Sequence, residues 1–159
     1  MPKGIKRFIR KLPGPLSYCK CDNLCSPLEV EHVVPKMILK TGFDFNTSKK
    51  DPHNLYMCCS KINRDKGHQL FGKDFVLDNS YHKGALSRSC LYMYETYNLP
   101  IDKKIVAIWR HFHRNYPPLS FEIQRDLVIQ EFYGKNNYFL DDYNINLNDY
   151  DVDEDNHWD

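Results

Sequence analysis

A chain of 159 residues, 42% apolar and 14% aromatic, is long enough for one domain with a real core and hardly for two. No apolar run approaches the roughly 18 residues that cross a bilayer, and the basic start MPKGIKRFIRKLPGP leads into no apolar export segment. The expectation is an intracellular protein whose six cysteines are thiols or metal ligands rather than a disulfide frame. The net charge of +1 conceals an uneven distribution. Residues 141–159 hold eight of the 21 acidic side chains and no Lys or Arg, leaving 22 basic against 13 acidic side chains in residues 1–140. Residues 1–140 are read as one domain whose basic body suits a polyanionic partner. Residues 141–159 are read as a flexible acidic tail that either competes for the same surface or only solubilises.

Ile5, Phe8, Ile9 and Leu12 recur at helical spacing, and Pro13-Gly14-Pro15 ends that segment. Lys3, Lys6, Arg7, Arg10 and Lys11 lie three and four apart, so one face of this helix either tracks phosphates or is simply solvated. Between 18 and 62 the apolar runs VVPKMIL and NLYMCC flank the turn-rich TGFDFNTSKKDPHN, which predicts two strands joined by a long loop. From Gly84 the pattern turns helical. Leu86, Cys90, Met93, Tyr94 and Tyr97 mark one helix; Ile101, Ile105, Ile108, Trp109 and Phe112 mark a second, closed by Pro117-Pro118. Ile123, Leu127, Val128 and Phe132 mark a third, with Ser120 as a plausible N-cap and Gly134 as the stop. The class is α+β: a small irregular β-rich centre followed by three helices.

The stretch EVEHVVPK sets Glu31 beside His32, a pair that alone is more often structural than catalytic. A second stretch, DPHNLYMCCSKINRDKG, adds His53 and Asn54 before an apolar run and Asn63, Arg64 and Asp65 where a helix can begin. Glu, His and Asn together suit phosphodiester hydrolysis with one hard divalent cation. Mg²⁺ takes oxygen ligands and keeps several waters, and a neutral imidazole can take a proton from an attacking water.

These residues resemble the endonuclease I family of non-specific nucleases, which have a ββα-metal core. Glu31-His32-Val33-Val34-Pro35 matches the family's E-H-V-V-P, and Asp51-Pro52-His53-Asn54-Leu55 its D-L-H-N-L. Asn63 matches the Asn of its N-x-x-R region, although Arg64 follows directly. Gly84, Ala85, Arg88 and Leu91-Tyr92-Met93 match a small-residue and arginine helix, and Trp109, Glu122 and Arg125 a W…E-x-x-R signature. Tyr133 to Asp141 is a degraded form of the closing Q-G-N-R-N-P-F-I-D. Several motifs in order are a strong signal where E-H alone is a weak one.

The resemblance implies a Mg²⁺-dependent endonuclease (Mn²⁺ or Ca²⁺ in its place) that cuts DNA with little sequence preference, with RNA as an open second substrate. It implies His32 as general base, Glu31 and Asn63 as metal ligands, and His53 and Asn54 as positioning groups. The family's phosphate-holding arginine between the His and the Asn is missing here. Only Lys36, Lys40, Lys49, Lys50 and Lys61 are cations in that interval, so either a lysine substitutes or Arg88 reaches in. Lys6, Arg10, Lys36, Lys61 and Arg64 are candidates for nucleic-acid contact. A structural Zn²⁺ held by Cys19, Cys21, Cys25 and Cys58 or Cys59 is a weak alternative to buried thiols, because C-x-C-x₃-C is not a paired C-x-x-C spacing. The rival reading is a non-catalytic nucleic-acid-binding module on the same scaffold, with or without zinc.

Overall fold

The computed structural model describes residues 4–14, 17–18, 27–73, 75 and 80–145, and of Ser80 and Tyr81 the backbone only. In chain order these form α1 (Ile5–Lys11), β1 (Leu28–His32), α2 (Lys36–Leu39), α3 (Phe45–Ser48), β2 (Leu55–Cys59), α4 (Ser60–Lys66), α5 (Ser80–Thr96), α6 (Lys103–Asn115) and α7 (Ser120–Tyr133). Two 3-10 turns, Pro52–Asn54 and Tyr138–Asp142, complete the described elements. The fold is α+β, with one antiparallel pair in which Leu28 faces Cys59, Glu31 faces Tyr56 and His32 faces Leu55.

The run VVPKMIL is not the strand its composition suggests. β1 ends at His32, the chain bends at Val33–Val34, and Lys36–Leu39 is a helical turn with Pro35 at its N-cap. Proline supplies no N–H to a ladder but suits a helix start, where that donor would have no partner. Val33, Val34 and Leu39 are apolar because they enter the core, each fully buried.

That core forms where α5 and α6 pack side by side. Leu86, Cys90, Leu91 and Met93 of α5 meet Ile105, Val106 and Trp109 of α6 in one cluster with Val33, Val34 and Tyr56. α5 is buried on nearly every face from His82 to Met93, so it lacks the polar stripe of a surface helix. The Trp109 indole N–H donates to the Phe71 carbonyl at 2.8 Å, satisfying the one polar atom of that buried ring. A second cluster sandwiches β2 between α1 and α7 through Ile9, Leu12, Leu55, Val128 and Ile129.

α7 stops at Gly134, whose φ of 80° is the left-handed conformation that glycine adopts freely. Its N-cap is Leu119 rather than Ser120, and no side chain caps that end. The folded body also runs past residue 140. Asp141 and Asp142 belong to the closing 3-10 turn, Asp142 Oδ2 lies 2.6 Å from His113 Nε2, and the Tyr143 hydroxyl donates to the His113 carbonyl. The described chain thus extends beyond the expected boundary, and the remainder of the acidic segment lies outside the described residues.

Candidate active site

Strand periodicity puts Glu29 and Glu31 on one face of β1. α4 starts at the residue after β2 and packs on both strands, and its residues 63 and 66, three apart, share one helix face. Each therefore meets one carboxylate. Asn63 Nδ2 donates to Glu29 Oε1 at 2.8 Å, and the Lys66 ammonium donates to Glu31 Oε1 at 2.7 Å. Glu31 and Lys66 are both buried. Burial pushes the Glu31 carboxyl above its usual range, and the Lys66 ammonium opposes that rise.

Carboxylate and amide oxygens are the donors a hard divalent cation takes. Asn63 spends its amide nitrogen on Glu29, which turns Oδ1 into its remaining donor, and Glu31 Oε2 is the oxygen not committed to Lys66. The donor set fits such a cation in kind. Among the described residues no cluster of three or more His, Cys, Asp or Glu side chains forms a self-contained metal cage. Glu29 and Lys66 were missed by the sequence reading, although E-x-E on a strand and N-x-x-K on a helix each place both members on one face.

His32 is the last residue of β1. Its Nε2 lies 2.9 Å from the Lys49 carbonyl oxygen, which can only accept, so Nε2 carries the proton. Nδ1 is then the bare nitrogen. Burial, with smaller contributions from the Lys36 and Lys66 charges, lowers the imidazole pKa to about 4, against the Lys49 hydrogen bond that favours protonation. The ring is neutral near pH 7 and half-buried. Lys66 also reaches the His32 carbonyl at 3.4 Å, which links the carboxylate and imidazole sides of the strand end.

Asn54 and His53 hold this geometry. The Asn54 side chain clasps the Val34 backbone, accepting its N–H at 2.7 Å and donating to its carbonyl at 3.0 Å, so the bend after His32 is fixed. His53 Nε2 lies 2.7 Å from the Lys135 carbonyl, and its backbone N–H donates to Asp51 Oδ1 at 3.0 Å. Asp51 in turn accepts from the Tyr97 hydroxyl at 2.6 Å. Arg125 donates to the carbonyls of Pro52 and Leu55 and stacks on the Tyr56 ring, its Cζ 3.9 Å from the centroid. The E-x-x-R signature thus serves the scaffold beneath the site.

Arg88 is placed elsewhere. Its guanidinium is buried among α5, α6 and α7, with Nε 2.8 Å from Glu122 Oε2 and Nη1 donating to the carbonyls of His113 and Tyr116. The structure spends it on these partners instead of bringing it to His32. The cations that the imidazole does feel are Lys36 and Lys66. Lys36 and Lys61 are exposed at the starts of α2 and α4; Arg64 is exposed, with Nη2 3.2 Å from Ser60 Oγ. Lys6 and Arg10 are exposed on the outer face of α1, opposite buried Ile9 and Leu12.

Cys59 is disulfide-bonded, which removes it both from the zinc set and from the set of buried thiols. Its partner lies outside the described residues, as do Cys19, Cys21 and Cys25. Cys58 Sγ faces the Cys59 carbonyl at 3.4 Å, and Cys90 is a buried thiol raised well above its usual range by burial.

No family model matches the chain. Curated relatives do. A periplasmic deoxyribonuclease of Aeromonas hydrophila is 23% identical, over 75% of this chain and 65% of the relative. An extracellular deoxyribonuclease of the same organism is 24% identical, over 62% and 51%. The Endonuclease-1 of Buchnera aphidicola subsp. Baizongia pistaciae is 25% identical, over 74% and 63%. The chain spans about half to two-thirds of the length of these relatives. It is similar to endonuclease-I-type deoxyribonucleases, as its motifs imply. The expectation of an intracellular protein is overturned: relatives are named periplasmic and extracellular, and a disulfide at Cys59 belongs to an oxidising compartment.

Proposed function

We propose that this protein is a divalent-metal-dependent endonuclease that hydrolyses phosphodiester bonds in DNA, with RNA as a further substrate, outside the reducing cytosol. One observation carries the reading: a neutral His32, its Nε2–H tied to the Lys49 carbonyl and its Nδ1 bare, next in sequence to Glu31 at the end of the strand against which α4, with Asn63, packs. Mg²⁺, or Mn²⁺ or Ca²⁺ in its place, would be held by Glu31 Oε2 and Asn63 Oδ1, and when bound it would neutralise phosphate charge and stabilise the departing sugar oxygen.

His32 Nδ1 takes the proton of the attacking water, and the Lys49 carbonyl stabilises the imidazolium that forms. Lys36, exposed and close enough to lower the imidazole pKa, takes the place of the missing arginine as a point charge on the phosphate. Exposed Lys61, Arg64, Lys6 and Arg10 hold the backbone without reading bases. Nicking of supercoiled plasmid by the wild type in Mg²⁺, lost in EDTA and in His32→Ala, is the expected result. Equal nicking by His32→Ala in saturating Mg²⁺ overturns it, and the same assay on RNA decides the second substrate.

One observation favours a non-catalytic binding module instead: the Lys66 ammonium already neutralises Glu31. On that reading the wild type binds plasmid in Mg²⁺ and leaves it intact.

A further inference from the structure

We infer that the connection Lys36–Lys50 between the strands is a surface for single-stranded nucleic acid, with Phe43 as the platform on which an unstacked base lies. The inference rests on the nuclease reading and names the form of substrate that the same site takes. Phe43 is 63% exposed and Met37 56%, in a molecule that buries most of its large apolar side chains.

Phe43 is not a loose side chain on a loop tip. Its N–H donates to the Tyr97 carbonyl at 2.8 Å. The residue before it, Gly42, lies so close to α5's end that a Cβ there would come within 2.4 Å of Leu99 Cδ2 and 2.6 Å of the Tyr97 carbonyl oxygen. Only glycine permits that approach. Leu39, fully buried, anchors the segment from α2, and Asp44 caps α3 on the other side by accepting from the Thr47 N–H. At its far end the Lys49 carbonyl receives the His32 Nε2–H. The aromatic platform and the imidazole are therefore joined through one pinned stretch of chain.

The charge around the platform selects the occupant. Residues 36–50 carry Lys36, Lys40, Lys49 and Lys50 against one acid, Asp44. The ammonium groups of Lys40 and Lys49 lie over the Phe45 ring, 5.7 and 5.2 Å from its centroid, which holds both along the segment. Cations that track a phosphate chain, interleaved with an exposed ring, are how proteins hold a single strand without reading its sequence. A duplex stacks its bases on one another and offers no free face to Phe43. A single strand does.

The test measures equilibrium binding of the full chain, in EDTA so that nothing is cut, to a fluorescein-labelled single-stranded oligonucleotide and to its duplex. Phe43→Ala is expected to weaken single-strand binding about tenfold and to leave duplex binding within about twofold, with Phe43→Trp restoring the loss. Lys36→Ala is expected to weaken both forms and to lower the salt dependence by about one phosphate contact. Equal loss on both forms in Phe43→Ala, no loss on either, or no binding of single strand by the wild type overturns the platform. Plasmid nicking in Mg²⁺ separates the two readings. A wild type that nicks while Phe43→Ala binds normally sinks the platform alone. A wild type that never nicks while Phe43→Ala loses single-strand binding sinks the nuclease alone.

Discussion

Two regions of this molecule bury an ion pair between a carboxylate and a cation, and they differ in what is left over. Between α5, α6 and α7, Arg88 spends Nε on Glu122 and Nη1 on two carbonyls, and His113 spends Nε2 on Asp142. Between β1 and α4, Lys66 takes one oxygen of Glu31, Glu29 takes the amide nitrogen of Asn63, and Lys49 takes one nitrogen of His32. Asn63 Oδ1 and His32 Nδ1 are left over from these contacts, and Glu31 has the Tyr18 hydroxyl beside it as well as Lys66. Buried charge alone does not mark a site; unspent donor and acceptor capacity beside exposed cations does.

The sharpest way to break this comparison is to remove one member from each region. His32→Ala is expected to lower plasmid cleavage by about 10²- to 10⁴-fold, the contribution of a positioned general base, with DNA affinity and melting temperature nearly unchanged. A matching loss of DNA affinity would move His32 from proton transfer to binding. Arg88→Ala is expected to do the reverse, costing about 3–5 kcal/mol of stability because Glu122 is left buried and unpaired. Chemical denaturation reads that loss, and the fraction still folded should cleave at the wild-type rate. A folded Arg88→Ala protein that cannot cleave would return Arg88 to the site.

Asn63→Ala is expected to raise the Mg²⁺ concentration for half-maximal cleavage by roughly tenfold, since it removes one of the two proposed protein ligands. A metal titration unchanged from wild type would take Asn63 out of the proposed ligand set. The smallest effect concerns Asp126, whose carboxyl burial raises to about 6, against the Asn137 N–H that it accepts at 2.6 Å. Between its unfolded value near 4 and pH 6 the folded state holds the extra proton, so this group lowers stability as pH rises through that window. Asp126→Asn is therefore expected to raise the melting temperature by a few degrees above pH 6 and not below about pH 4. A gain of the same size at both ends would show that the carboxyl's charge is irrelevant.

Three of the helices are legible from an apolar stripe or a firm stop, Pro13 for α1, the stripe of α6 and Gly134 for α7. α5, buried on nearly every face, shows itself instead in the helical spacing of Leu86, Cys90, Met93 and Tyr97. The strand at VVPKMIL was misread because β-branched residues before a proline serve a buried bend as well as a strand. Motif order singles out Glu31, His32 and Asn63, whereas the carbonyl of Lys49 that sets the His32 tautomer leaves no trace in side-chain identity. Arg88 was assigned to the site because the sequence offers an arginine but not its neighbours: Glu122 is distant in sequence and shares a buried network with it only after folding. The boundary at 140 followed the charge run, while Asp142 and Tyr143 follow the packing against His113.

The clasp between Asn54 and Val34 also bears on the order in which the molecule becomes competent. It joins residues twenty apart, and closing a loop of that length costs about 3 kcal/mol of chain entropy before any contact repays it. α5 and α6 pair across the short connection from Thr96 to Lys103, a far more local event. We expect the helical pair to form first and the strand end that carries His32 to be set last. Refolding followed by circular dichroism should recover helix before plasmid nicking returns; simultaneous recovery would refute that order. On the proposed nuclease reading, a chain caught part-way through folding would be helical, compact and unable to cut, and any capacity to damage nucleic acid would arrive only with the finished fold.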